Sequence, residues 1–384
     1  MENFVIRPVT REDVLETEKL ATLAWLNPCD LEKDCDPETF NTDGMMGLVT
    51  PENEIAAYIT EIPFESNFDG HKVGMNGISC VGTKPEYRYG GAIRRLFAKV
   101  FENSAQRGQV FSVLFPFSHK FYRKMGYESF SYRHSYTIEN DMLTALKVTS
   151  PLRRIEEGEE LELINSIHSQ FTQKYNLAVT RTLERAKHDN RGDTYKDLVS
   201  HFIIGDGAYV SYKLSRFNPS EINVTDWAVT DEKYIPEILG LFGRYSPMIK
   251  TVQMTTPPDI VLEAYVDAAA KLTHTVNYGP MVRVLDVEKA LRLAANPLGA
   301  DFTIAVEDDG IKANNATWHV FSGGVEKTDA APDVRCDIRA FAPMILGSYA
   351  INCAKARADV WVNGNLGELE KFFTEKKIYL DDSF

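Results

Sequence analysis

The sequence predicts an α/β protein, α+β in its last part, built from three units: two successive α/β units of similar order, then a distinct α+β domain. Three observations carry this. A run of hairpin, strand, glycine junction, helix, strand and short helix is legible before residue 150. A similar order returns after about Leu152, and from about Met281 the pattern changes. A chain of 384 residues also suits two or three domains, at roughly 150 residues each. The expected domains are 1–150, 151–282 and 283–384. No low-complexity linker separates them, so the three are expected to pack against one another.

The first unit opens on "NFVIRPVT", read as a strand. Thr10 with Asp13 three residues on then forms a capping signature for a helix. "GMMGLVT" and "EIAAYITEI" flank the turn "PEN" as a hairpin. Asp69-Gly70 marks the next turn, because these residues tolerate positive φ. A strand ends near Thr83. "KPEYRYGG" follows, and then a helix in which Ile93, Leu96, Phe97, Val100 and Phe101 recur at helical spacing, with Gly108 as its stop. "QVFSVLF" is a buried strand, and "SHKFYRKMGYESF" a short helix followed by a further strand.

In the second unit, Leu161, Ile164, Ile167 and Phe171 define a helix. The hairpin "FIIGDGAYVSYKL" turns at Gly205-Asp206-Gly207. The strand "EINVTDWAV", the helix "DEKYIPEILGLFGRY" and the strand "KTVQMTT" complete it. The third unit holds the helix "VLDVEKALRLAAN", a hairpin around Asp308-Asp309-Gly310, and the helices "RAFAPMILGSYAI" and "LGELEKFFTE".

Composition bounds the function. Apolar residues make up 44% and charged residues 25%, as in an ordinary soluble protein. The net charge of −13 argues against a nucleic-acid partner, whose phosphates demand a basic surface, and suits a cationic substrate equally with plain solubility. Five cysteines, odd in number and without a C-x-x-C pair, point to reduced thiols in a cytoplasm. No signal-peptide pattern and no membrane-length apolar run is visible. Eight scattered histidines without ligand spacing speak against a metal site.

The glycine junction is the informative stretch. A helix N-terminus leaves backbone N–H groups unpaired and favours anions, and glycines let a diphosphate approach closely. "TDEKY" at the matching place in the second unit has acids and no glycine, which repels phosphate. The stretch is neither a Walker loop nor the dinucleotide fingerprint.

Arg88-Tyr89-Gly90-Gly91-Ala92 resembles the R/Q-x-x-G-x-G/A loop of the GCN5-related N-acetyltransferases (GNAT), with Ile93 departing from the sixth position. Together with "GTKPEYRYGGAIRRLF", "PFSHKFYRKMGYE", "MVRVLDVEKAL" and "YLDDSF", it resembles the Eis (enhanced intracellular survival) branch over essentially the whole chain. The resemblance implies tandem GNAT folds, the second without a cofactor loop, and a sterol-carrier-protein-like domain. It also implies acetyl transfer from acetyl-CoA to the amines of aminoglycosides or lysine side chains, in a hexamer.

Acetyl transfer to an amine needs a base and an acid. By resemblance the acid is Tyr122 of Tyr-x-x-x-Gly-Tyr, and the base is the carboxylate of Phe384, which ends the sequence after an apolar pair as if it docks. His119 is the rival acid or base, and packing or solvation is the plain alternative for each. Val81, Gly82 and Thr83 are expected to pair with the pantetheine arm, and Arg88, Tyr89, Gly90, Gly91, Ala92, Ile93, Arg94 and Ser118 to hold the rest of the cosubstrate. Cys80 reads as a packed strand cysteine rather than a nucleophile. Trp25, Asp30 and Asp34, in "WLNPCDLEKDCD", suit a polyamine through cation–π and ionic contacts, or else form a solvated loop. A longer-chain acyltransferase, like the N-myristoyltransferases, and a lipid carrier acting through the third domain are the alternatives.

Overall fold

Alternating apolar residues and tight glycine turns build three sheets. The computed structural model describes residues 3–26, 28–31, 35–215, 220–266, 271–380, 382 and 384. The chain divides into two compact units: Met1–Phe130 with Pro280–Lys376 and Asp382–Phe384, and Ser131–Gly279 with Lys377–Asp381.

The first unit begins with β1 (Val5–Pro8) and α1 (Val14–Trp25). Between them the expected capping box forms: the Thr10 backbone N–H donates to Asp13 Oδ2 at 2.9 Å. The Arg7 guanidinium beside Asp13 pulls that carboxyl down to about 2. Strands β2 (Met45–Val49), β3 (Ile55–Phe68) and β4 (His71–Thr83) follow as antiparallel neighbours. Asp69 and Gly70 turn β3 into β4 with φ of 46° and 84°. Helix α2 (Ala92–Gln106), β5 (Phe111–Leu114), α3 (His119–Arg123) and β6 (Glu128–Ser129) complete the N-terminal part. Leu96, Phe97, Val100 and Phe101 of α2 are buried over this sheet with Ile78 and Leu114. Each such side chain stabilises the fold by roughly 1.5–3 kcal/mol.

One strand of this sheet comes from far along the chain. Met281–Val284 pairs antiparallel with both β5 and β6, giving the order β1-β2-β3-β4-β5, then Met281–Val284, then β6. The expected boundary between residues 282 and 283 therefore falls inside a strand, which is buried because sheet partners lie on both its sides. The rest of this unit is a five-stranded sheet, in which Phe302–Glu307 pairs antiparallel with Ala316–Phe321 and parallel with Val334–Asp337. Buried helix Ile338–Leu346 packs beside Met281–Val284 and β6.

The second unit has a seven-stranded sheet of its own. Its elements are β7 (Tyr132–Glu139), β8 (Leu152–Ile155), α4 (Leu161–Thr172), α5 (Leu183–Asp189), β9 (Val199–Ile204), β10 (Ala208–Ser215), β11 (Glu221–Val229), α6 (Ile235–Gly243), β12 (Thr251–Thr256) and β13 (Leu272–Tyr278), with strand order β13-β7-β12-β11-β10-β9-β8. Residues 131–150, expected with the first domain, belong here, because β7 pairs with β12 and β13.

Candidate functional site

The strand-to-helix junction has the features of an anion cradle. Gly91 is the N-cap of α2 at φ +83°, with no side-chain cap and no acid in the first turn. A Cβ added there would meet nothing within 4 Å, so the space in front of the helix end is open. The first backbone N–H groups of α2 are thus free to bind an anion. Tyr89, at φ 66°, is fully exposed on the same loop, and Arg88 Nε donates to the Thr83 carbonyl at 3.3 Å, tying the loop to the strand end.

Behind the junction, two parallel strands part. β4 and β5 pair from Met75–Phe111 to Ile78–Leu114, where β5 ends; β4 runs on to Thr83, still paired with β3 on its other side. The register of β3–β4 shifts opposite Cys80, which takes φ +51°. Such a bulge twists the strand and turns its backbone groups out of the ladder. Residues Ser79–Thr83 therefore offer a strand edge not paired to β5. Gly82 is required by packing, since a Cβ there would collide with Leu20 of α1. Cys80 itself is exposed, not packed as the sequence reading expected, because the bulge rotates it off the sheet.

A cavity of about 730 Å³ joins these features. Of the expected cosubstrate residues, all but Gly90 and Ser118 line it. Ser118 caps α3 instead, accepting from the Phe121 N–H at 3.3 Å. Tyr122 is 3% exposed behind the lining residues Phe117 and Phe121, at ring-centroid distances of 5.2 and 5.1 Å. Its hydroxyl makes no hydrogen bond among the described residues. Burial pushes this phenol up, so it stays protonated and able to donate throughout the neutral range. His119 is half-buried at the start of α3. Phe384 docks in the same region: its ring lies 5.1 Å from that of Phe64 and 5.5 Å from that of Phe115. Gly77 admits it, because a Cβ there would sit 2.8 Å from the Phe384 ring. That ring covers the last rungs before β4 and β5 part.

Residues 5–130 match the family model of the acetyltransferase (GNAT) domain. The N-terminal domain is a GNAT acetyltransferase domain. Residues 287–381 match the sterol carrier protein domain. No curated protein sequence matches the chain. Among solved structures, the fold is shared over 99% of this chain with a GCN5-related N-acetyltransferase from Anabaena variabilis (all of that chain, 19% identity, TM-score 0.88). It is shared over the same fraction with Eis1 from Mycobacterium abscessus (all of that chain, 17% identity, TM-score 0.83). A GCN5-related N-acetyltransferase from Kribbella flavida shares it over 100% of this chain (99% of that chain, 19% identity, TM-score 0.83). The GNAT domain makes the chain an acetyltransferase enzyme with an acyl-CoA cosubstrate, and the open junction and parted strands fit that ligand.

The far side of the GNAT cleft is aromatic. Trp25 lines the cavity, and its half-exposed ring meets Tyr58 edge-on at 6.1 Å. Asp30 is exposed and not part of the lining, and Asp34 lies outside the described residues. A residue the sequence reading missed is Glu18. It lies two turns before Trp25 on the same face of α1, half-buried, with no ion pair among the described residues. Burial pushes its carboxyl up, and its field, with that of Cys80, adds to the burial that raises the Tyr58 phenol. The signal was its seven-residue spacing from Trp25, hidden by the charged neighbours Glu16 and Lys19. No helix among the described residues is long and apolar enough to cross a membrane.

Proposed function

We propose that this enzyme is an N-acetyltransferase that moves the acetyl group of acetyl-CoA directly to a cationic amine with several amino groups, a polyamine, an aminoglycoside or a lysine-bearing chain. The observation that carries the reading is the open, glycine-bounded start of α2 at one end of a cavity that follows the unpaired edge of β4 to an aromatic end at Trp25. The diphosphate belongs at Gly90-Gly91, and the pantetheine arm along Val81, Gly82 and Thr83. At the bulge, backbone N–H groups turned out of the ladder are suited to polarise the thioester carbonyl. Trp25, Glu18 and Asp30 attract the acceptor.

In the reaction the neutral amine nitrogen bonds to the thioester carbon, the C–S bond breaks, and the thiolate takes the Tyr122 proton. The amine gives up its own proton to a base, for which we propose the Phe384 α-carboxylate, ionised above a pKa of about 3.3–3.7. The ring contacts with Phe64 and Phe115 support this by fixing Phe384 beside the parted strands. The free state of all five cysteines suits a cytoplasm, and the resemblance to the Eis branch suggests a hexamer, which sedimentation checks.

The test is a panel of aminoglycosides, polyamines and lysine peptides, each with acetyl-CoA and longer acyl-CoAs, read by thiol release. Acetyl-CoA with a multivalent amine should be preferred, and rising salt should raise the KM for the amine. Equal turnover of neutral monoamines at every ionic strength would overturn the acceptor assignment. Tyr122→Phe should lower kcat by about 10²-fold or more while leaving the KM for acetyl-CoA near its original value. A tag appended after Phe384 should abolish turnover without weakening CoA binding; full activity in the tagged protein would remove the carboxylate from the mechanism.

A further inference from the structure

The Tyr122 hydroxyl makes no hydrogen bond among the described residues, so its aim is set by its backbone and by the rings around it. Its carbonyl accepts the backbone N–H groups of Met125 and Tyr127 at 2.9 and 3.3 Å, in the turn that ends α3. The other side of that turn is held from far along the chain. The Met125 carbonyl accepts from Arg283 Nη1 at 2.6 Å. Gly126, at φ +80°, admits the arginine, since a Cβ there would collide with its guanidinium.

We propose that Arg283 is a positioning residue for acetyl transfer: it holds the Met125 turn so that the Tyr122 phenol meets the departing sulfur, and Asp308 fixes Arg283 in that role. The proposal rests on the reading of Tyr122 as the acid.

Arg283 belongs to the buried strand Met281–Val284, and both it and Asp308 are buried. Its Nη2 donates to the two Asp308 oxygens at 2.6 and 2.8 Å. The same carboxylate accepts the Gly310 and Ile311 N–H groups at 2.8 and 3.1 Å and Asn314 Nδ2 at 2.9 Å, which leaves it little freedom. A second route runs through rings. The guanidinium lies 4.4 Å over Phe101, which meets Phe97 at 5.8 Å, and Phe97 meets Tyr122 edge-on at 6.2 Å. Stability is a weak reason for such a pair, because well-packed apolar residues in place of a buried ion pair are often as stabilising or more so. Orientation is a better one, because a planar guanidinium holds several acceptors at fixed angles. Asp308 lies in the part of the chain that matches the sterol carrier protein domain. A domain with no part in the proposed chemistry would thereby set the aim of the acid.

The experiment is a double-variant cycle on the full chain, with acetyl-CoA and the amine of the acceptor panel that the wild type turns over fastest. Asp308→Asn keeps the shape of the side chain and one oxygen for Arg283. It should lower kcat by about 10- to 100-fold, the cost of misplacing a reacting group, with the KM for acetyl-CoA near its original value. Arg283→Lys should lose at least as much. In the Tyr122→Phe background, Asp308→Asn should cost less than about twofold more, because its effect passes through the missing phenol. A merely structural role would cost the same in both backgrounds. Breaking a buried pair also costs stability, so each variant is assayed where urea unfolding shows it native. Asn314→Ala, which removes only one support of the Asp308 carboxylate, should repeat the pattern at smaller size if the other two do not fold. An unchanged kcat in the folded variants, or equal losses in both backgrounds, would overturn the proposal and leave the acid reading intact. Full kcat in Tyr122→Phe would overturn both.

Discussion

Two strand-to-helix junctions occupy matching places in the two tandem folds, and they have opposite chemistry. In the first, β4 leads through a glycine loop into α2, whose N-cap Gly91 has neither a capping side chain nor an acid near it. In the second, β11 leads through Asp231, whose own carboxylate accepts the Lys233 N–H at 2.9 Å, with Glu232 next and Glu237 at the start of α6. The parted strands differ in the same sense. β11 and β12 pair only from Glu221–Thr251 to Asn223–Gln253, so they also diverge. Here Trp227 spans the opening: its indole N–H donates to the Thr255 carbonyl at 2.9 Å, and its ring is buried. The second fold thus keeps the framework of a cosubstrate site and fills it with its own side chains. A GNAT fold does not by itself make a cofactor site; unfilled backbone donors do.

The largest expected effect strikes the first junction. Gly91→Trp should reduce acetyl-CoA affinity by about 100-fold or more, because the side chain would stand where the diphosphate approaches. The site is open and α2 starts beyond it, so the cost to folding should stay near 1 kcal/mol, from the positive φ alone. Calorimetry should find one CoA per wild-type chain and none measurable in the variant. Unchanged affinity, or two CoA per chain, would break the contrast between the two junctions.

The next largest effect belongs to the second fold. Trp227→Ala should destabilise its unit by about 3–5 kcal/mol, the usual range for emptying a large aromatic position. The opening left behind should not bind CoA, because Asp231 and Glu232 still guard the helix end. Urea unfolding should report the loss, and CoA stoichiometry should remain one. A gain of a second CoA site would mean that Trp227, and not the acids, disabled the second fold.

How much of this was legible depended on sequence distance. The order of elements up to β6 follows from local periodicity, turn glycines and the Thr10 cap, and the strands and helices lie where those signals place them. The strand Met281–Val284 was not legible as part of the first sheet, because its partners β5 and β6 lie some 150 residues earlier. Strand β13 was not read from the sequence: Leu272, Val276 and Tyr278 alternate with polar residues along it, but it lies at the sheet edge with no buried residue, and its partner β7 lies some 140 residues earlier. In the site, the glycine loop is a local signal and was readable. The bulge at Cys80 and the partial burial of Glu18 arise from tertiary packing, of β4 against β3 and of α1 over the sheet. The glycine of Tyr-x-x-x-Gly-Tyr was visible as a pattern, but its reason, the passage of Arg283 past Gly126, needed both ends of the chain.

The smallest effect tests the acidic junction through pH. Glu237 is buried at the start of α6, where its carboxylate accepts the backbone N–H groups of Thr149 and Ser150 at 3.0 and 2.8 Å and the Ser150 hydroxyl at 2.9 Å. Burial alone would raise this carboxyl, but the donors outweigh it and hold the carboxyl below its ordinary value. A carboxyl lowered by folding stabilises the native state above its unfolded pKa, about 4.3 for glutamate, and loses that contribution as pH falls through the native value. Glu237→Gln should therefore cost roughly 1.5–3 kcal/mol near neutral pH, the worth of hydrogen bonds to a charged group. The gap between wild type and variant, from urea unfolding of the second unit, should narrow steadily below about pH 4. The first junction has no such acid, so CoA affinity should not follow this titration. A gap that stayed constant down to the lowest pH at which the protein folds would show that Glu237 acts there as a shape and not as a charge.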